Sequence, residues 1–131
     1  MITLLSNRPK FGGIAVLILI GWICTSTKSL SPEEDYIVRH LPLALEQQEN
    51  YGIPASITIA QALLESQAGQ SELAREANNH FGIKCKHYWT GSVFYKKDDD
   101  RDVSGELISS CFRKYPSVEL SYKDRSIFLS N

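Results

Sequence analysis

Little in these 131 residues is in excess, and the shortages exclude much. Cysteine is scarce: Cys24, Cys85 and Cys111 are too few for a disulfide-built scaffold and lack the C-x-x-C spacing of a structural zinc site. His40, His80 and His87 lack the spacing of a zinc-binding helix, and neither a G-x-S-x-G turn nor a glycine-rich phosphate loop occurs. Charge of one sign is missing too. With 14 Lys and Arg against 15 Asp and Glu the net charge is −1, which leaves no electrostatic footprint for a nucleic acid. What remains, 43% hydrophobic and 22% charged residues, is the composition of one ordinary globular domain.

The chain also lacks an apolar run of spanning length. Its longest, Phe11 to Cys24, is 14 residues and follows Arg8 and Lys10, whereas a transmembrane helix needs about 20. A basic start with a short apolar middle reads as an export signal, so residues 1–28 are expected to be a signal peptide or signal anchor, the N-terminal segment being a route to membrane contact. The protein is then exported, to the cell envelope, the periplasm or the medium. Without that segment 11 bases face 15 acids, a net charge of −4. An oxidising compartment makes a Cys85–Cys111 disulfide the expectation.

Ser31-Pro32-Glu33-Glu34 has the residues of a capping box, with proline at the first helical position. The sequence predicts a short helix to about Arg39, a second opened by Pro42 and ended by Gly52, and a third from about Ser56 to Ala68 with Gly69 as its stop. A short helical piece follows around Ser71 to Glu76. From Phe81 onward aromatic and β-branched residues predict a small antiparallel ribbon whose tip carries Lys96 to Asp102. A last helix runs from Val118 to about Leu129.

The third helix carries the chemistry. Ile57, Ala60, Leu64 and Ala68 form one apolar face, and Ile59, Ala62 and Leu63 populate the flanks on the other side, which predicts burial nearly all round. Thr58, Gln61 and Glu65, spaced i, i+3, i+7, fall within about 60° of one another and form one polar stripe. That stripe faces water in a groove or a polar partner from elsewhere. Glu65 sits in the last turn, where the helix dipole and partial burial both penalise a charged carboxylate. An acid that keeps its proton is what protonation of a departing glycosidic oxygen requires. A second carboxylate would come from Asp98 to Asp102, with Glu106 and Glu119 as weaker sources, and Trp89, Phe94 and Tyr95 have flat faces suited to sugar rings. A Cys85/His87 protease pair has no guaranteed contact at i, i+2.

The segments Gly52-Ile53-Pro54-Ala55-Ser56-Ile57-Thr58-Ile59-Ala60-Gln61-Ala62-Leu63-Leu64-Glu65-Ser66, Asn78-Asn79-His80-Phe81-Gly82-Ile83-Lys84 and Cys111-Phe112-Arg113-Lys114-Tyr115 together resemble the bacterial peptidoglycan endo-β-N-acetylglucosaminidase family, which includes flagellar-rod hydrolases and autolysins. The likeness spans roughly residues 31 to 131. It implies an α+β, mainly α fold, with a lysozyme-like helical lobe and a small antiparallel β-lobe flanking a sugar-binding cleft. Residues 29–131 form that domain. Related domains continue past the last helix with a further cleft-lining segment, which implies a domain incomplete at its C-terminus.

By the same resemblance Glu65 is the catalytic acid and Asp99, chosen from Asp98 to Asp100, the second catalytic residue. Gln61, Asn79, Phe81 and Tyr95 are expected to bind substrate. The partner implied is the peptidoglycan glycan strand, without nucleic acid, metal or organic cofactor, and the reaction is hydrolysis of the β-1,4 bond after N-acetylglucosamine. The alternatives are a lytic transglycosylase on the same glycan and a noncatalytic wall-binding protein derived from such an enzyme. One departure is local: Gln67-Ala68 stands where the family favours glycine or an aromatic before Gly69.

Overall fold

The computed structural model describes residues 29–130; the export signal proposed for residues 1–28 lies outside them. Helix α1 (Pro32–Tyr51) starts on the expected capping box. Glu34 N–H donates to Ser31 Oγ at 3.1 Å, and Ser31 N–H donates to the Glu34 carboxylate at 2.8 Å. The helix ends where Gly52 adopts a left-handed φ of 69°, a conformation that glycine alone enters without steric cost.

Two predicted helices are one. Pro42 lies inside α1, although proline removes a backbone donor and was expected to separate two pieces. The buried positions Tyr36, His40, Ala44 and Gln47 follow one stripe across it, so the packing face keeps its register. Pro42 and Val38, whose carbonyl loses its helical donor, are both exposed, and water can satisfy that oxygen.

Helix α2 (Ala55–Glu65) packs against α1. It stops earlier than Ala68 because Ser66 Oγ accepts from Gly69 N–H at 2.8 Å, and Gln67, Ala68 and Gly69 all turn left-handed, with φ of 52°, 54° and 77°. Its expected burial all round is also corrected. Ala55, Thr58, Ile59 and Ala62 face inward, whereas Ile57 is 54% and Leu64 76% exposed. Helix α3 (Glu72–Ala77) is capped by Ser71.

Strands β1 (Val93–Arg101) and β2 (Leu107–Arg113) pair antiparallel, Phe94 opposite Phe112 and Tyr95 opposite Cys111. The charged stretch assigned to the tip is mostly strand, and the turn itself falls at Asp102 to Gly105, where Asp102 collects donors from Ser104 and Glu106. The register shifts between Lys97 and Arg101, a bulge holding Asp98, Asp99 and Asp100. Cys85 and Cys111 are joined as a disulfide with Cα atoms 5.3 Å apart. Beside it Lys84 bridges to Phe112, Cys85 N–H donates to Cys111 C=O at 2.8 Å and Arg113 N–H to Ile83 C=O at 3.0 Å, so residues 83–85 lie against β2. Helix α4 (Val118–Ser130) packs on α1.

The architecture is therefore mainly helical with a two-stranded sheet, as expected. One core cluster gathers Tyr36 and Ala44 from α1, Ala55, Ile59 and Ala62 from α2, and Tyr122 from α4. Another joins Leu73 and Ala77 to Phe112, with Phe94 against them. Beside the first cluster lies a buried polar aromatic group: Tyr36 Oη is 2.6 Å from His80 Nδ1 and 3.2 Å from Tyr122 Oη. His40 stacks on Tyr36 at 4.2 Å between ring centroids. Burial pushes His80 down to about 4, with the neighbouring His40 acting in the same direction. It lowers His40 as well. No helix among the described residues is long and apolar enough to cross a membrane.

Candidate active site

A groove of about 370 Å³ runs between the helices and the ribbon. One wall is α2, presenting Gln61 and Glu65; another is the Phe81 to Lys84 turn with Lys86; Arg113 of β2 and the end of α4, from Arg125 to Leu129, complete it. Glu65 is exposed within this groove, correcting the expectation of partial burial. Among the described residues its carboxylate has no ion pair. Gly82 explains how the turn approaches it: its φ is +61°, and a Cβ there would stand 3.9 Å from Glu65 Oε2. A glycine thus lets the Asn-Asn-x-Phe-Gly backbone face the acid.

The polar stripe on α2 divides between its two predicted environments. Glu65 faces the groove, while Thr58 and Gln61 meet Arg125 from α4. Arg125 Nη1 donates to Thr58 Oγ1 at 3.0 Å, and Nη2 donates to Gln61 Oε1. The guanidinium also lies 5.5 Å from the centroid of the Phe81 ring. Arg125 is only 5% exposed, and burial lowers its proton affinity. Nothing singled out Arg125 in the sequence. The available signal was the stripe itself, which carries no cation of its own between Ile57 and Ala68.

Asn79 has a different part from the one assigned. It is 1% exposed. Its Nδ2 donates to the carbonyls of Ile83 and Arg113, both at 2.9 Å, and its Oδ1 accepts from Ile83 N–H at 3.0 Å. A side-chain amide saturated in this way has nothing left for a sugar. It shapes the groove by tying the Phe81 to Lys84 turn to β2. Phe81 and Gln61 do line the groove, though Gln61 also serves Arg125.

Tyr95 and Asp99 are not brought to the groove. Tyr95 is 65% exposed on β1 and is absent from the groove lining; Asp99 is exposed in the bulge. Its neighbours turn toward Lys84 instead. Lys84 Nζ lies 2.9 Å from Asp98 Oδ2 and 2.6 Å from Asp100 Oδ2, and Ser110 Oγ donates to Asp100 at 2.6 Å. These contacts push Lys84 up, chiefly through Asp100, and hold Asp98 and Asp100 below the usual carboxylate range, chiefly through Lys84. The sequence could not distinguish three consecutive aspartates; the bulge does.

Behind the groove, Arg113 is 3% exposed. Its Nη1 pairs with Asp124 Oδ2 at 2.6 Å, its guanidinium lies 4.7 Å from the Trp89 ring, and Tyr115 Oη donates to the same Asp124 oxygen at 2.6 Å. Trp89 and Phe94, with their flat faces, are thus a stacking partner of Arg113 and a half-buried residue packed against the second core cluster respectively. Breaking one half of a buried pair of this kind costs about 3–5 kcal/mol. No group of three or more His, Cys, Asp or Glu able to hold a metal ion is present among the described residues.

Residues 41–131 match the model of the mannosyl-glycoprotein endo-beta-N-acetylglucosaminidase family, Glucosaminidase. The chain belongs to this glucosaminidase family. It is 42% identical over 78 residues to exo-glucosaminidase LytG of Bacillus subtilis, a match covering 60% of this chain and 27% of LytG. Among solved structures, the catalytic domain of the autolysin Auto from Listeria monocytogenes superposes with a TM-score of 0.70 at 30% identity, covering 80% of this chain and 60% of that one. The glycoside hydrolase domain of Salmonella typhimurium FlgJ gives 0.62 at 28% identity, covering 75% and 60%. The chain thus spans about a quarter of LytG, and the glucosaminidase fold is what these relatives have in common with it.

Proposed function

We propose that this glucosaminidase-family chain hydrolyses the β-1,4 bond after N-acetylglucosamine in cell-wall peptidoglycan, with Glu65 as general acid. The observation that carries the reading is the position of Glu65: an unpaired carboxyl group in an open groove, on a rigid helix, facing the glycine turn of the family motif. A glycan seated there expels water from around the carboxyl group, and the acid passes its proton to the leaving oxygen as the C1–O bond breaks. Water adds to C1 and supplies the new hydroxyl. Gln61 and Phe81 border the same space. Gln61 has a side-chain amide to orient a sugar, and Phe81 an apolar ring face.

The second acidic role moves from Asp99 to Asp98 or Asp100, because these two meet Lys84, a residue of the groove wall. Glu65 is the one carboxylate lining the groove among the described residues, which favours either a ribbon aspartate acting through water or the substrate's own acetamido group as the internal nucleophile. The same observation supports a second reading, in which a single glutamate drives attack by a sugar hydroxyl of the substrate and leaves an anhydro end. Export to the cell envelope completes the proposal. LytG, Auto and FlgJ are named as a glucosaminidase, an autolysin and a glycoside hydrolase, and a glycan outside the cytoplasm is the substrate this reading requires.

Product analysis tests it. The full 131-residue chain is incubated with peptidoglycan and the soluble fragments are reduced and weighed by mass spectrometry. N-acetylglucosamine at the reducible ends is the expected result. Anhydro ends would replace hydrolysis with the transglycosylase reading, and no released fragment would leave a noncatalytic binder.

A further inference from the structure

The groove wall gathers cations in an otherwise acidic molecule. Residues 29–130 carry 11 bases and 15 acids, yet the groove wall contains Lys84, Lys86, Arg113 and Arg125 against Glu65 alone. Two of those cations are already neutralised: Lys84 by Asp98 and Asp100, and Arg113 by Asp124. The other two have no carboxylate within ion-pair distance among the described residues. Lys86 stands exposed at the rim. Arg125 is 5% exposed, and its side-chain acceptors, Thr58 and Gln61, are both neutral.

A buried guanidinium without a counter-charge has given up most of its hydration for little Coulombic return. Its planar fork carries five donors, of which Thr58 and Gln61 occupy two. It lies in the wall of a groove, so a ligand entering that groove can supply the missing charge. Carboxylates are the anions that guanidinium groups match best in shape.

We propose that the groove contains an anion subsite, Arg125 in its wall and Lys86 at its rim, that takes a carboxylate of the cell-wall glycan. This rests on the reading of the groove as a glycan site and deepens it: the preferred substrate is a glycan carrying carboxylates, not a neutral polymer of N-acetylglucosamine. Two parts of peptidoglycan have this chemistry, the lactyl group of an unsubstituted muramyl sugar and the acidic residues of its stem peptide. Lys86 draws the anion in by long-range attraction, and Arg125 fixes it.

Equilibrium binding to the full chain carrying Glu65→Gln, which keeps ligand intact, provides the test. The ligands are glycan oligomers with free lactyl carboxylates, the same oligomers as methyl esters, oligomers bearing stem peptides, and neutral N-acetylglucosamine oligomers of equal length. Free acids are expected to bind about tenfold tighter than esters, the scale of one charge-assisted hydrogen bond, and the gap is expected to shrink with added salt. Lys86→Gln, an exposed substitution with little bearing on folding, is expected to narrow the gap about threefold; Arg125→Lys, with its fold checked by circular dichroism, is expected to narrow it further. Tighter binding of the peptide-bearing oligomers over the free acids assigns the anion to the stem, and the reverse assigns it to the lactyl group. Equal affinity for acids and esters, or a gap unmoved by both salt and Lys86→Gln, overturns the subsite. Fragment release by the unsubstituted chain is measured separately: release without acid preference removes the subsite alone, and acid preference without release removes hydrolysis alone.

Discussion

Acidification from pH 6.5 toward 4 is expected to loosen this fold. His80 is 4% exposed and engaged through Nδ1 with Tyr36 Oη, and burial lowers it from 6.5 to about 4. The unfolded chain therefore binds a proton at a pH where the folded chain refuses it. Stability from this group is complete above pH 6.5 and is lost progressively as pH falls toward 4. A displacement of that size corresponds to about 3 kcal/mol at full loss, a large part of the roughly 5–15 kcal/mol that holds a small domain together. His40, lowered by the same burial, adds to the effect with the same sign.

Urea unfolding followed by tryptophan fluorescence at pH 7.5, 6.5, 5.5 and 4.5 measures this. His80→Gln keeps an acceptor for Tyr36 and removes the titration; its curve is expected to start lower at pH 7.5 and to fall less over the interval. Equal slopes for the two proteins would refute the assignment to His80. Loss confined to pH below 4 would point instead to the ribbon carboxylates, whose proton affinities Lys84 and Ser104 hold down.

Three further outcomes follow from particular contacts. Gln67→Gly removes a side chain from a left-handed position with φ of 52° and is expected to stabilise the fold by about 0.5–1 kcal/mol in denaturant titration. Replacing both Cys85 and Cys111 by serine opens a cross-link of sequence separation 26 and is expected to cost about 3 kcal/mol; because that link anchors the segment carrying Lys84 against β2, sugar release at low temperature is expected to weaken as well. Among the ribbon acids, Asp98→Asn and Asp100→Asn are expected to slow sugar release at least tenfold if either acts through water, while Asp99→Asn leaves it unchanged; a slow Asp99 variant would return the second role to that residue.

The sequence showed clearly what depends on local chemistry. A serine cap with a glutamate at the third position, a glycine that ends α1 and a β-branched ribbon all act within a few residues. The last helix begins at Val118 as expected. Tertiary packing overrode local signals elsewhere. Pro42 did not divide α1, because a continuous buried face outweighed one lost hydrogen bond. Helix α2 ended at Glu65 although Gln67 and Ala68 are not residues that favour a left-handed turn; the side chain of Ser66 closed it. Its Ile57, Ala60 and Leu64 face proved exposed, which periodicity alone cannot distinguish from burial.

The site was legible in part, for related reasons. Glu65 stood out because α2 supplies it with no cation, and it lines the groove. Asn79 belonged to a recognisable motif, but its hydrogen bonds to Ile83 and Arg113 show a fastening role that a motif does not reveal. The direction of Asp98 and Asp100 depends on a bulge, and a bulge has no signature in a run of charged residues. Arg125 lies 60 residues from Glu65 in the chain and joins the groove only when α4 packs.

The central claim is that Glu65 gives a proton to the leaving sugar, and leaving-group dependence measures it directly. Rates of the full chain and of Glu65→Gln are compared on peptidoglycan and on an aryl N-acetylglucosaminide whose phenolate departs without protonation. The account predicts a loss of about 10²–10⁴ on peptidoglycan and a much smaller loss on the aryl substrate, with both proteins equally folded. Equal rates on peptidoglycan, or the same loss on both substrates, would contradict it.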